Sequence, residues 1–166
     1  MLLGNQKCAR AGFTLPEIVV ATALVAVFFS SIFEINALCL RYISASKENV
    51  GAIEAIHDRL ERLRNTNFST LTSVSSMKSL LATAANSSPL ANRAVETVTV
   101  RDYPSGQPTI TYTRSANGAV TSVPSMADFS NSTLVQVDLV NQWPATFANR
   151  TTTTQTSTVI SAGTKK

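Results

Sequence analysis

The chain has 166 residues and a mass of 17.7 kDa, room for one domain with an appendage. Apolar residues make up 44% and charged ones only 14%, which excludes a disordered acidic or basic tail. The net charge of +4 rests largely on Lys7, Arg10, Lys165 and Lys166 at the two ends, unlike the basic face of a nucleic-acid binder.

Residues 1–12 carry Lys7 and Arg10 and no acidic residue. Residues 13–33, FTLPEIVVATALVAVFFSSIF, follow with Glu17 as their single charge. At about 1.5 Å per residue a helix of this length spans roughly 30 Å, one hydrocarbon core. The positive flank places the N-terminus in the cytoplasm and the remainder across the membrane. A cleavable secretory signal would need a shorter apolar core and a small-residue cut site; Glu34-Ile35-Asn36-Ala37-Leu38 supplies no A-x-A pattern. A lipoprotein site would need a small residue before the cysteine, but Leu38 precedes Cys39 and Lys7 precedes Cys8. A plain signal anchor leaves Glu17 unexplained, because a carboxylate in a bilayer costs about 2.5–3.5 kcal/mol even on lenient scales. Thr14-Leu15-Pro16-Glu17 also fits a capping box with proline in the first turn. That accounts for the helix start, not for a charged Glu where Gln would serve equally.

Residues 34–65 continue as the amphipathic half of the same helix. Ile53, Ile56, Leu60 and Leu63 fall at 3-4-3 spacing and read as its core stripe, with an additional role against neighbouring helices left open. Glu54, Asp58, Arg59, Glu61, Arg62 and Arg64 read as the opposite, solvated face, with Asp58–Arg62 and Glu61–Arg64 as pairs. Gly51 is a place where the rod can loosen. Residues 66–93 form a polar connection, turn-like at Asn65-Thr66-Asn67 and Asn86-Ser87-Ser88-Pro89, with one short helix over Leu71–Ala85 through Val74, Met77, Leu80 and Leu81.

From residue 94 to 166 the period changes to two. Strands are predicted from Val95, over Thr109–Arg114, over Ala119–Val123 after an Asn117-Gly118 turn, over Leu134–Trp143, and over the threonine-rich Thr151–Ser161. The predicted class is α+β: a long N-terminal helix, membrane half plus amphipathic half, packed on a small antiparallel β-sheet.

Enzymatic chemistry is not expected. His57 is the only histidine and reads as a solvated helix residue; no catalytic sequence context, phosphate loop, cofactor site or metal-ligand spacing is present. Asp102 and Asp138 read as structural strand carboxylates. The region from 94 to 164 has Arg101, Arg114 and Arg150 against Glu96, Asp102, Asp128 and Asp138, so no nucleic-acid partner is expected.

At Gly12-Phe13-Thr14-Leu15-Pro16-Glu17 the chain resembles the prepilin processing motif of type IV pilins and type II secretion pseudopilins. The resemblance covers roughly residues 4–34. It implies that residues 1–12 are a leader cut between Gly12 and Phe13 by a membrane prepilin peptidase, which also N-methylates Phe13. It implies that Glu17 pairs with the new α-amine, within the chain or on a neighbour, during assembly. An opposite charge in low dielectric stabilises the ionised carboxylate. The family commonly has an apolar residue where Pro16 stands. The implied partners are the peptidase/methylase, the membrane, and other pilins or pseudopilins through the N-terminal helix. The implied place is the cytoplasmic (inner) membrane, single-pass, with the head extracytoplasmic and extractable into a fibre. The implied role is a structural subunit, of the minor type, in a pseudopilus or pilus-like fibre. A pilin-anchored binding module at a fibre tip, or an unrelated single-pass extracytoplasmic protein, remain as alternatives. Loss of the leader would remove Cys8, leaving Cys39 as the one cysteine and no intramolecular disulfide. Cys39 reads as a buried helix thiol near the membrane face, with an intersubunit bridge open.

Overall fold

The computed structural model describes residues 12–124, 126–145 and 150–163. Lys7, Cys8, Arg10, Lys165 and Lys166 lie outside the described residues.

Helix α1 runs unbroken over Leu15–Asn65. Pro16 stands in its first turn, where the missing N–H has no intrahelical partner to lose. The amides of Glu17 and Ile18 donate to the Thr14 carbonyl at 3.0 and 3.1 Å. The chain divides into two compact units, Met1–Arg41 and Tyr42–Lys166. Within the first, α1 is long and apolar enough to cross a membrane, and its described side chains are exposed.

The second unit is α+β, the arrangement expected, and consistent with a pilin-like fold. Its portion of α1 lies on a five-stranded sheet of order β3-β2-β1-β4-β5, built from β1 (Val95–Asp102), β2 (Thr109–Arg114), β3 (Val120–Val123), β4 (Leu134–Pro144) and β5 (Thr151–Ser161). Every neighbouring pair is antiparallel. Gly118 closes the β2–β3 turn at φ 86°, a conformation that favours glycine after Asn117. One sheet face carries Val98, Val100, Ile110, Tyr112, Val135, Val137 and Leu139, which close a core with Leu60, Leu63, Leu71, Met77 and Leu81. A smaller cluster joins Ala52, Leu90, Ala94 and Trp143.

Four readings of the helical region are corrected. Ile53 is 60% exposed and not core. The buried stripe is Ala52, Ala55, Ile56, Arg59, Leu60 and Leu63, with Arg59 fully buried at its centre rather than solvated on the far face. By helical geometry residue 59 sits three after Ile56 and four before Leu63, so it must share their face. Asp58 pairs not with Arg62 but with the Asn86 amide at 2.9 Å, while Arg62 donates to the Ala84 carbonyl; the Glu61–Arg64 pair is present at 3.5 Å. The expected helix over Leu71–Ala85 is two helices, α2 (Phe68–Thr72) and α3 (Val74–Ala82), parted where Ser73 turns extended at ψ 119°.

The turn expected at Pro89 begins α4 (Pro89–Arg93), whose Ala91 amide donates to the Ser88 hydroxyl at 3.1 Å. Gly51 does not interrupt α1; it lies against Leu90, whose Cδ2 would be 3.7 Å from an added Cβ.

Candidate functional site

The motif residues occupy the start of α1. Gly12 and Phe13 precede the helix and are exposed, Phe13 at 79%, so the bond between them is open to an enzyme. Among the described residues no atom lies within 4 Å of the position a Cβ on Gly12 would take. Glu17 falls in the first helical turn and is exposed. Its Oε2 accepts from the Thr14 amide at a long 3.5 Å, the reciprocal arm of a capping box. So long a contact leaves the carboxylate free to take a stronger cationic partner. Cys39 is a free thiol and is exposed along the helix, a correction to the expectation of burial. The side chains of Thr22, Ser30 and Ser31 donate to carbonyls one turn back, at 2.9, 3.0 and 3.0 Å, so these three hydroxyls are satisfied within the helix itself.

The head is organised around an ion pair that the sequence reading missed. Arg59 meets Glu96 in a two-pronged contact, Nε to Oε1 at 2.6 Å and Nη2 to Oε2 at 2.9 Å. Its remaining donors reach the Leu80 carbonyl at 3.2 Å and the Thr83 carbonyl at 2.7 Å, the final turn of α3. One guanidinium thus ties α1, α3 and β1 together. On the same sheet face Glu96 is flanked in register by Arg114 of β2 and Asn141 of β4, both buried. Arg114 donates Nη1 to the Ala91 carbonyl at 3.2 Å, while its Nε has no partner among the described residues. The signal was present in the sequence: Glu96 shares the parity of Val98 and Val100, and Arg59 shares the face of Ile56 and Leu63.

Other titratable groups of the head make local contacts. Asp138 takes Arg101 at 2.9 Å and the Gln136 amide at 2.9 Å on the open sheet face. Asp102, at the end of β1, accepts from the Ser105 hydroxyl at 2.5 Å. That bond, with a second from Ser132, holds its carboxyl below the usual carboxylate range. Asp128 is likewise held low by the Ser130 amide and hydroxyl. Burial pushes the Tyr112 phenol up to about 12. His57 is exposed on α1. Among the described residues no three His, Cys, Asp or Glu side chains converge as metal ligands would.

Two surface hollows mark the head. One of about 650 Å³ is lined by Asp58, Glu61, Arg62, Asn65, Thr66 and Leu80. Another of about 480 Å³ lies between Tyr42, Glu48, Asn49, Trp143, Arg150 and Thr152. Comparison with models of protein families, with curated proteins and with solved structures finds no match to this chain.

Proposed function

We propose that this protein is a pilin-like structural subunit, of the minor kind, in a type II secretion pseudopilus or type IV pilus-like fibre. The observation that carries the reading is the Gly12–Glu17 motif at the first turn of a long apolar helix whose second half belongs to an antiparallel head. A prepilin peptidase cuts the exposed Gly12–Phe13 bond, and Phe13 is N-methylated. The amine so created is a cation at the edge of the bilayer, and Glu17 is a carboxylate one turn away. Their pairing, in cis or between subunits, offsets the cost of carrying Glu17 into an apolar environment. The role is structural, and the partners are other pilins or pseudopilins through α1.

The test is expression in cells that possess a prepilin peptidase, with mass spectrometry of the N-terminus. The expected product begins at methylated Phe13. A chain that stays uncut after Gly12 would refute the proposal. Glu17→Ala separates a fibre subunit from a simple anchor. The subunit inserts and is processed but fails to assemble, whereas an anchor loses nothing beyond some helix stability.

A further inference from the structure

We propose that Asn117 is a site of spontaneous main-chain rearrangement, gated by opening of the β2–β3 turn, and that the rearranged product releases the edge strand β3. Of the chain's asparagines Asn117 alone precedes a glycine. The side-chain amide carbon of an asparagine lies within reach of the next backbone nitrogen, and the two close a five-membered ring. Most side chains at the following position hinder that closure, and glycine has none. The pair stands at the surface, Asn117 exposed and Gly118 half-buried.

The reaction balances with solvent alone. Base takes the proton from the Gly118 nitrogen, which attacks Asn117 Cγ. The new N–Cγ bond closes a succinimide, the Cγ–Nδ2 bond breaks, and ammonia leaves with a proton from water. Water then adds to one of the two ring carbonyls. Opening at Cγ gives aspartate. Opening at the main-chain carbonyl gives isoaspartate, in which the chain runs through Cβ and Cγ and is one carbon longer. Either product carries a carboxylate where the amide was neutral.

In the folded turn both reacting groups are held. The Gly118 amide donates to the Ser115 carbonyl at 2.9 Å, so its proton is withheld from base. Asn117 Oδ1 accepts from the Ala119 amide at 3.1 Å, which fixes the side-chain amide across the turn. The Ser115 amide closes the loop on the Ala119 carbonyl at 2.9 Å. The first two bonds must open before the ring can form. That opening is local, because the turn leads directly into β3, a four-residue strand at the edge of the sheet.

The product does not fit the turn it comes from. Gly118 lies against the end of α3: a Cβ on it would stand 3.7 Å from the carbonyl oxygen of Ala82, the last residue of that helix. The new carboxylate therefore arises beside the negative end of a helix, which repels it. The extra carbon of isoaspartate breaks the spacing that sets Ser115 opposite Ala119, and with it the Arg114–Val120 pair that follows. β3 is held by four register pairs with β2 and by Val120 against the core, so losing the pair at Val120 loosens both.

The experiment incubates the full chain in detergent at mildly alkaline pH, folded and in urea. Trypsin releases the segment from Ser115 to Arg150. Its mass reports conversion of amide to acid, and fragmentation separates isoaspartate from aspartate. Asn117→Gln, whose longer side chain closes the ring poorly, assigns the mass gain to this position. In urea we expect Asn117 to convert faster than any other asparagine. In the folded chain we expect conversion at least tenfold slower, by the same factor that slows hydrogen exchange of the Gly118 amide, since both await the same opening. Isolated isoaspartyl chains should exchange the amides of Val120–Val123 at least tenfold faster than the parent, with β1 and β4 unchanged. Equal rates in the folded and urea-treated chain overturn the gate. Absence of conversion at Asn117 in urea overturns the site, and unaltered exchange over β3 in isoaspartyl chains overturns the release.

Discussion

Removing a guanidinium and a carboxylate from water costs several kcal/mol per ion, and a buried pair holds only when its geometry is good and its other donors are occupied. Arg59 meets both conditions, with two bonds to Glu96 and two to carbonyls at the end of α3. Arg59→Ala leaves the Glu96 carboxyl buried without its guanidinium partner, so a loss of about 3–5 kcal/mol is expected in urea unfolding of the full chain in detergent. Combining Arg59→Met with Glu96→Leu replaces the pair by apolar volume and should restore more than half of that loss. A cost for Arg59→Ala within the range of an exposed salt bridge, under about 1 kcal/mol, would refute the assignment of Arg59 as the tie between α1, α3 and β1. Tyr112 presents the opposite case. It is 1% exposed, and its hydroxyl has no partner among the described residues. Tyr112→Phe deletes that unsatisfied group and keeps the ring, so the variant should be as stable as the parent or about 1 kcal/mol more stable. Burial favours the neutral phenol, so its contribution is intact below about pH 10, the ordinary phenol value, and is lost as pH rises through about 12. Alkaline unfolding should therefore be shallower in Tyr112→Phe.

The elements differ in how far their sequences specify them. β1, β2, β4 and β5 were legible because strict alternation puts Val98, Val100, Ile110, Val135 and Val137 on one face, and because each strand is bounded by proline, glycine or asparagine turns. The amphipathic half of α1 was legible as a helix, but its buried face was displaced. Sorting by residue type admitted Ile53 and expelled Arg59, whereas the sheet needs the narrow strip Ala52, Ala55, Ile56. Small residues at 51, 52 and 55 let α4 approach closely, a demand set by the tertiary contact and invisible to a hydropathy pattern. The break at Ser73 has the same origin. Leu71 and Met77 both reach the core only because the chain turns extended between them. Gly12, Phe13 and Glu17 were singled out by motif, whereas Arg59 and Glu96 were not, because each of those two is apolar-face only by position. The β1–β2 connection supports a prediction of its own. Ser105 accepts from the Gln107 amide at 3.2 Å while donating to Asp102, and Gly106 takes φ 78°. The folded-state carboxyl of Asp102 lies below its ordinary 3.8, so it stabilises the fold above that pH, and the contribution is lost as pH falls through the lowered value. Asp102→Asn should flatten the acid limb of the stability–pH curve below about pH 4 and leave the curve near pH 7 parallel to the parent's.

At the scale of the molecule, the boundary that matters for folding lies inside a continuous helix. The change of composition at residue 33 divides apolar from amphipathic sequence, but the compact head begins at Tyr42, with Ile35, Leu38 and Leu40 exposed before it. The head in turn depends on its share of α1. Ala52, Ala55, Ile56, Leu60 and Leu63 all bury against the sheet side, and Arg59 supplies the cation for Glu96. Removing Leu60 and Leu63 alone forfeits about 4–10 kcal/mol at the usual 2–5 per large core side chain, comparable with the whole stability of a small domain at about 5–15. A chain starting at Tyr42 should consequently be water-soluble, show one cooperative urea transition and keep the β-sheet signature in circular dichroism. A chain starting at Thr66 retains all five strands yet should show no cooperative transition, because it exposes the sheet face carrying Val98, Val100, Val137 and the unpaired Glu96. The two fragments separate anchoring from folding: the first loses only the span, the second loses the layer that covers the core. If the Thr66 fragment unfolds with the same midpoint as the Tyr42 fragment, α1 is an attachment to a self-sufficient sheet. If the Tyr42 fragment itself shows no cooperative transition, the head needs the apolar half of α1 as well, and the division at Arg41–Tyr42 has no folding meaning.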